Sequence, residues 1–177
     1  AEQLKKIFEA VRPLYKKREK IFDEVEKQLR VHGIYNLEFN ELEKNEKKIV
    51  RQYYQASIRP VLSPQIVDTH HPFPHLANNV IHIGVVLQHK NREIFGVIPM
   101  PASLPAVFYL PGSETRYIRL ESIVLEFVEQ MFLPYTVKEK VIFCVTRNAD
   151  VNPDDEVFAD ESDFRKRMKK VLNQRKR

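Results

Sequence analysis

Glycine is scarce in this chain, with four in 177 residues. Neither GxGxxG nor GxxxxGKS/T occurs, so the Gly-rich cradles that usually take nucleotide phosphates are absent from these residues. A single cysteine, Cys144, excludes an internal disulfide framework and suits a reducing compartment. No apolar run approaches the roughly 18–20 residues of a membrane span. The N-terminus is a charged amphipathic segment, unlike a signal peptide. CxxC and HExxH spacings are also missing. A chain of this length buries a sizeable core without such staples.

The net charge of +5 is unevenly placed. Residues 165–177 carry eight basic side chains and no acid, leaving 21 basic against 24 acidic residues elsewhere. The basic character is therefore a C-terminal feature. It suits either a polyanion contact or a solvated helix end favoured by the macrodipole.

Residues 2–31 read as one long helix. Leu4, Ile7, Phe8, Val11, Leu14, Tyr15, Ile21, Phe22, Val25 and Leu29 fall on one stripe at spacings of three, four and seven. Pro13 predicts a kink or a restart, and Gly33 a stop. Asn40 and Glu43 suggest a capping box for a second helix running to about Ser57. Its inward face is Leu42, Ile49, Val50, Tyr53 and Tyr54, and Pro60 ends it. Two long helices with a short link predict an antiparallel pair.

Pro60, Pro64, Pro72 and Pro74 make residues 60–79 a rigid connector without regular structure, anchored to the core by Phe73 and Leu76. Asn78 and Asn79 suit a turn. The period then changes from 3.6 to that of strands: 80–87, 93–99, 106–110 and 116–120, with a hairpin loop at 88–92. A helix is predicted over 121–132 with Ile123, Val124, Phe127, Val128 and Met131 inward. A last central strand follows at 140–146, then an acidic turn at 152–155 and an amphipathic helix at 160–174. Short links favour antiparallel pairing. The expected fold class is α+β: a long N-terminal helix pair (1–59), the connector (60–79), and a mostly antiparallel sheet with packed helices (80–177).

His70, His71 and His75, with Asp68 nearby, invite a metal or phosphohistidine reading. Adjacent His70 and His71 point to opposite sides of an extended chain, and the connector supplies no cation to clamp a transferring phosphate. Hydrogen bonding that locks the connector is the reading these residues favour. His82 reads as a hydrogen-bonded histidine in an apolar strand, and Cys144 as an inert residue in mid-strand. Arg147 and Asp150 read as loop closure, and Glu121 or Ser122 as a helix cap.

Four segments in register resemble one family. YYQASIRPVLSP (53–64), HPFPHLANN (71–79), RYIRLESIV (116–124) and FCVTRNADV (143–151) are similar to the middle, or head, domain of type 1 polyphosphate kinases. The chain begins at Ala1 without Met, and the resemblance implies a piece of a polypeptide of about four domains. It also implies reversible transfer of the ATP γ-phosphate to inorganic polyphosphate through a phosphohistidine, with magnesium. Those groups belong to the family's other domains, so no catalytic, cofactor-binding or metal-binding residue is expected here and the segment alone is expected to be inactive. The implied role is structural: contacts with other domains of the same chain, a homodimer, and the framing of an active-site tunnel. A cytoplasmic location follows, with peripheral membrane association open, and no nucleic acid is expected. Two departures stand out. Cys144 and Leu104-Pro105-Ala106 occupy places where the family commonly has arginine and LPR. The rival readings are a polyanion-binding adaptor using the helix pair and residues 165–177, and a metal-dependent hydrolase using His70, His71 and His75.

Overall fold

The computed structural model describes residues 2–68, 71–90, 92–146 and Arg165. The expected acidic turn at 152–155, the helix at 160–174 and nearly all of the basic tail lie outside them.

Helix α1 (Glu2–Val31) runs unbroken through Pro13. It stops where Gly33 takes φ +74°, a left-handed conformation that glycine enters without a Cβ penalty. None of its residues is buried. The expected antiparallel helix pair does not form, because α1 packs mainly on strand β1 (Ile34–Leu37). The second helix, α2 (Lys44–Tyr53), spends its apolar face elsewhere. It buries Val50, and its continuation through a π turn (Tyr54–Ile58) lays Tyr54 on Phe127 of helix α3 (Leu120–Met131) with ring centroids 4.5 Å apart.

The expected cap at Asn40 is replaced by two flanking ones. Glu41 accepts the Glu38 N–H at 2.8 Å and closes a 3₁₀ turn, Phe39–Glu41. Glu46 accepts the Glu43 N–H at 2.8 Å and opens α2. In both places the glutamate three residues on does the capping.

Two sheets follow. One orders as β1–β6–β5, with β5 at Val107–Tyr109 and β6 at Thr115–Arg119. The other orders as β2–β4–β3–β7, with β2 at Gln65–Val67, β3 at Ile81–His89, β4 at Arg92–Pro99 and β7 at Thr136–Cys144. All pairings are antiparallel except β1 with β6. The fold is therefore α+β with a mostly antiparallel sheet arrangement.

Four expectations change. The connector is not wholly irregular: β2 pairs with β4 as an edge strand between Pro64 and Pro72, a place where prolines do not interrupt a ladder. The β3–β4 loop is shorter than 88–92, since Gln88 pairs with Glu93 and His89 with Arg92. Lys90, at φ +54°, turns the chain. Strand β7 starts four residues early and lies at an edge, not in the centre. Its register against β3 slips at Lys138, so Val137 faces Leu87 while Ile142 faces Ile83. The bulge puts both apolar residues on the core face although they are an odd number apart, which hides the strand's period. Finally, β1 has no counterpart among the expected elements.

The core lies between these layers. Ile83, Val85 and Leu87 of β3 meet Ile98 of β4, Ile118 of β6, Ile58, and Ile123, Val124 and Val128 of α3. Gly96 of β4 is what lets Phe132 close this core. A Cβ there would stand 2.7 Å from both the Phe132 ring and a Val85 methyl. Phe132 is 2% exposed and has nowhere to retreat. Gly96→Ala is expected to lower stability by about 1–3 kcal/mol through overpacking. In urea titration the midpoint falls with the slope unchanged. An unshifted midpoint would show that the ring can move aside.

Candidate functional site

The connector folds around an open groove of about 550 Å³ lined by Pro64, Gln65, Ile66, His71, Pro72 and Pro74. His71 is held at its rim. Its backbone N–H donates to Asp68 Oδ1 at 2.8 Å, and its Nδ1 lies 3.0 Å from the same oxygen. The Asp68 N–H returns a bond to the His71 carbonyl at 3.0 Å. These contacts tie Asp68 and His71 to each other, the locking role their residue types favour. The His71 side chain is 72% exposed, so the pair is screened and weak. His70 lies outside the described residues, and His75 is exposed. Among the described residues no three His, Cys, Asp or Glu side chains converge on a point. Neither Lys nor Arg is among the described lining residues. Among its described lining residues the groove offers mostly apolar walls, the Gln65 amide and the His71 imidazole, an arrangement that receives a side chain or a chain segment more readily than an anion.

Phe73 does not reach the core as expected. It stays exposed and stacks on Phe95 at 5.9 Å on the outer face of the sheet, while Leu76 is buried. Two prolines around Phe73 fix its direction, and the outer face is the one it meets.

His82 is 1% exposed. Its Nδ1 lies 2.8 Å from the Val80 carbonyl, so that nitrogen carries the proton, and its ring stacks on Phe143. Cys144 is not in mid-strand: it is the last residue of β7 and is exposed. Arg147 and Asp150 lie outside the described residues. Ser122 is buried within α3 and does not cap it. Arg119 stands at the N-cap without a side-chain cap bond, and Glu121 sits in the first turn, where the dipole favours an acid.

The ion pairs that join the early and late segments escape sequence reasoning. Arg116 Nη2 donates to Glu46 Oε2 at 2.9 Å, and Arg119 Nη2 donates to Glu38 Oε1 at 2.9 Å. The Glu-x-x-Glu spacings at 38–41 and 43–46 are visible in the chain, but their partners some 70–80 residues on are not.

At the base of α1, Asn36 Nδ2 donates to Glu26 Oε1 at 2.6 Å. Arg30 Nη2 donates to Glu41 Oε1 at 3.2 Å and to the Asn36 carbonyl at 3.3 Å. The Glu38 N–H, aided by Arg30 against a burial penalty, holds the Glu41 carboxyl below its usual range. A depressed carboxyl contributes stability above its unfolded pKa, and that contribution is lost as pH falls through the folded value. Beyond this base, Leu4, Ile7, Phe8, Leu14, Tyr15, Ile21, Phe22 and Val25 of α1 are all exposed. No helix among the described residues is long and apolar enough to cross a membrane.

Comparison with known proteins bears on these surfaces. A family model described as the polyphosphate kinase middle domain matches residues 45–177. A polyphosphate kinase of Halalkalibacterium halodurans is 32% identical over 181 aligned residues, covering 99% of this chain and 25% of its own. One from Bacillus cereus is 32% identical over 156, covering 84% and 22%. The crystal structure of polyphosphate kinase from Porphyromonas gingivalis superposes with a TM-score of 0.71 at 22% identity, over 86% of this chain and 26% of that one. The chain thus spans about a quarter of the length of the relatives it matches. Helix α1 lies ahead of the matched middle domain, which opens inside α2. With well over half of its residues matched by the family model, the chain belongs to the polyphosphate kinase family and carries its middle domain.

Proposed function

We propose that this chain is the structural and dimer-forming head domain of an enzyme that transfers the ATP γ-phosphate reversibly to inorganic polyphosphate. The phosphohistidine, the magnesium ion and the ATP site belong to other domains of the same polypeptide, and the enzyme works in the cytoplasm. Among the described residues no three His, Cys, Asp or Glu side chains converge, and the described lining of the connector groove holds neither Lys nor Arg, which supports placing that chemistry in other domains.

One observation carries this reading. Between Leu4 and Val25 a 30-residue helix displays a stripe of eight large apolar side chains outside the core of its own domain. At about half exposure each they offer on the order of 800 Å², the scale of one side of a standard interface. An exposed stripe of this size is an assembly surface. The assembly partners are the other domains of the polypeptide and a second copy of it.

The test compares phosphoryl transfer from γ-labelled ATP into acid-insoluble polymer by the full-length parent and by this chain. The parent incorporates label, and the chain alone remains at background and unlabelled. Label retained covalently on the chain, or an inactive parent, overturns the reading.

A further inference from the structure

Helix α1 is a lever about 45 Å long at 1.5 Å per residue. Among the described residues, its polar contacts to the rest of the fold gather at its C-terminal end. No residue along it is buried, and it packs mainly on β1. The join to β1 passes through Gly33, whose φ of +74° lies where other residues are strained and whose missing Cβ has nothing within 4 Å. A swing of 10° there carries the far end by about 8 Å.

Three side-chain hydrogen bonds oppose such a swing, beside the backbone bonds of Gly33 itself, whose N–H donates to the Arg30 carbonyl at 3.1 Å and whose carbonyl accepts the Thr115 N–H at 3.0 Å. Glu26 and Arg30 lie one turn apart on α1 and both reach Asn36 of β1, Glu26 through the side-chain amide and Arg30 through the carbonyl. Arg30 adds Glu41 of the 3₁₀ turn, so α1 is held from two elements. Asn36 Oδ1 is buried without a partner, an expense that persists because the other half of the amide is engaged. Arg30 and Glu41 are each about 40% exposed. Water and salt therefore compete with the pair at every moment, and its strength is small. The ordinary way to seat a helix end, a buried apolar residue, is absent here.

We propose that Glu26, Arg30, Asn36 and Glu41 form a polar latch that sets the angle of α1 against the middle domain, with Gly33 as its hinge. Released, α1 re-aims its apolar stripe; closed, it transmits strain between the middle domain and whatever engages that stripe. The inference rests on α1 being an assembly element, but its test does not require activity.

Spin labels go on Cys144, which is exposed and the chain's own cysteine, and on Lys17→Cys on the exposed side of α1. Pulsed electron spin resonance on the 177-residue chain then reads the distance distribution. At low salt one narrow distance is expected. In Glu26→Ala/Arg30→Ala it broadens at least twofold, and Lys27→Ala leaves it unchanged. Alanine is the best helix former, so the substitutions keep α1 intact, which circular dichroism checks. Raising salt to about 1 M broadens the native distribution in the same way. A distribution that is broad from the start, or that stays narrow in both the double variant and high salt, overturns the latch. An inactive parent with a latch that opens as described sinks only the functional reading.

Discussion

Phe127→Ala is expected to lower stability by about 3–5 kcal/mol, the range for emptying a buried aromatic site. The ring is 4% exposed. It stacks on Tyr54 at 4.5 Å and meets Phe39 edge-on at 5.3 Å, so one side chain fastens α3 to both the π turn and the first 3₁₀ turn. The helix backbone around it cannot collapse into the space, because Ile123, Val124 and Val128 hold α3 against the sheets. Truncation also strands the Tyr54 hydroxyl further, since it is already buried without a hydrogen-bond partner. Urea titration measures the loss. Phe127→Leu restores part of the volume and costs less, about 1–2 kcal/mol. A loss below about 1 kcal/mol for alanine would mean that the three rings are not a shared anchor.

Glu46→Ala is the second large effect, about 3 kcal/mol. Glu46 is 8% exposed and performs two tasks with one carboxylate. It caps α2 through the Glu43 N–H and pairs with Arg116 of β6. Its loss leaves an orphan amide and a mostly buried guanidinium whose Nε already has no partner. Removing one member of a buried pair costs about 3–5 kcal/mol, and the lower end applies because Arg116 keeps some contact with water. Glu46→Gln retains a capping oxygen and falls in between. A double-mutant cycle with Arg116→Leu isolates the pair, with about 1–2 kcal/mol of coupling expected. Coupling near zero would assign the whole cost to the cap.

These two residues show where reading the chain succeeds and where it stops. Phe127 falls on the buried face of α3 because its apolar neighbours recur at three and four, and a 3.6 period leaves one arrangement for them. Glu46 carried no such mark, since its value comes from Arg116, 70 residues away. The same division runs through the strands. The β3–β4 hairpin is legible as two apolar runs around a polar turn. Strands β1 and β2 are four and three residues long, too short for any period to register. The bulge in β7 reverses the alternation on which its detection depends.

The candidate surfaces divide in the same way. The absence of Gly-rich phosphate loops, the single cysteine and the Pro/His connector are properties of residue order, legible without a structure. The spacing of its apolar residues predicts an amphipathic α1, and the stripe is present. That this stripe lies outside the core, with α2 folded away onto α3, depended on tertiary packing. Local periodicity dictates which face of a helix is apolar, because side chains repeat every 3.6 residues whatever surrounds them. What that face meets is decided by competition among all the apolar surfaces of the chain, and here α3 and the sheets took α2 and left α1 exposed.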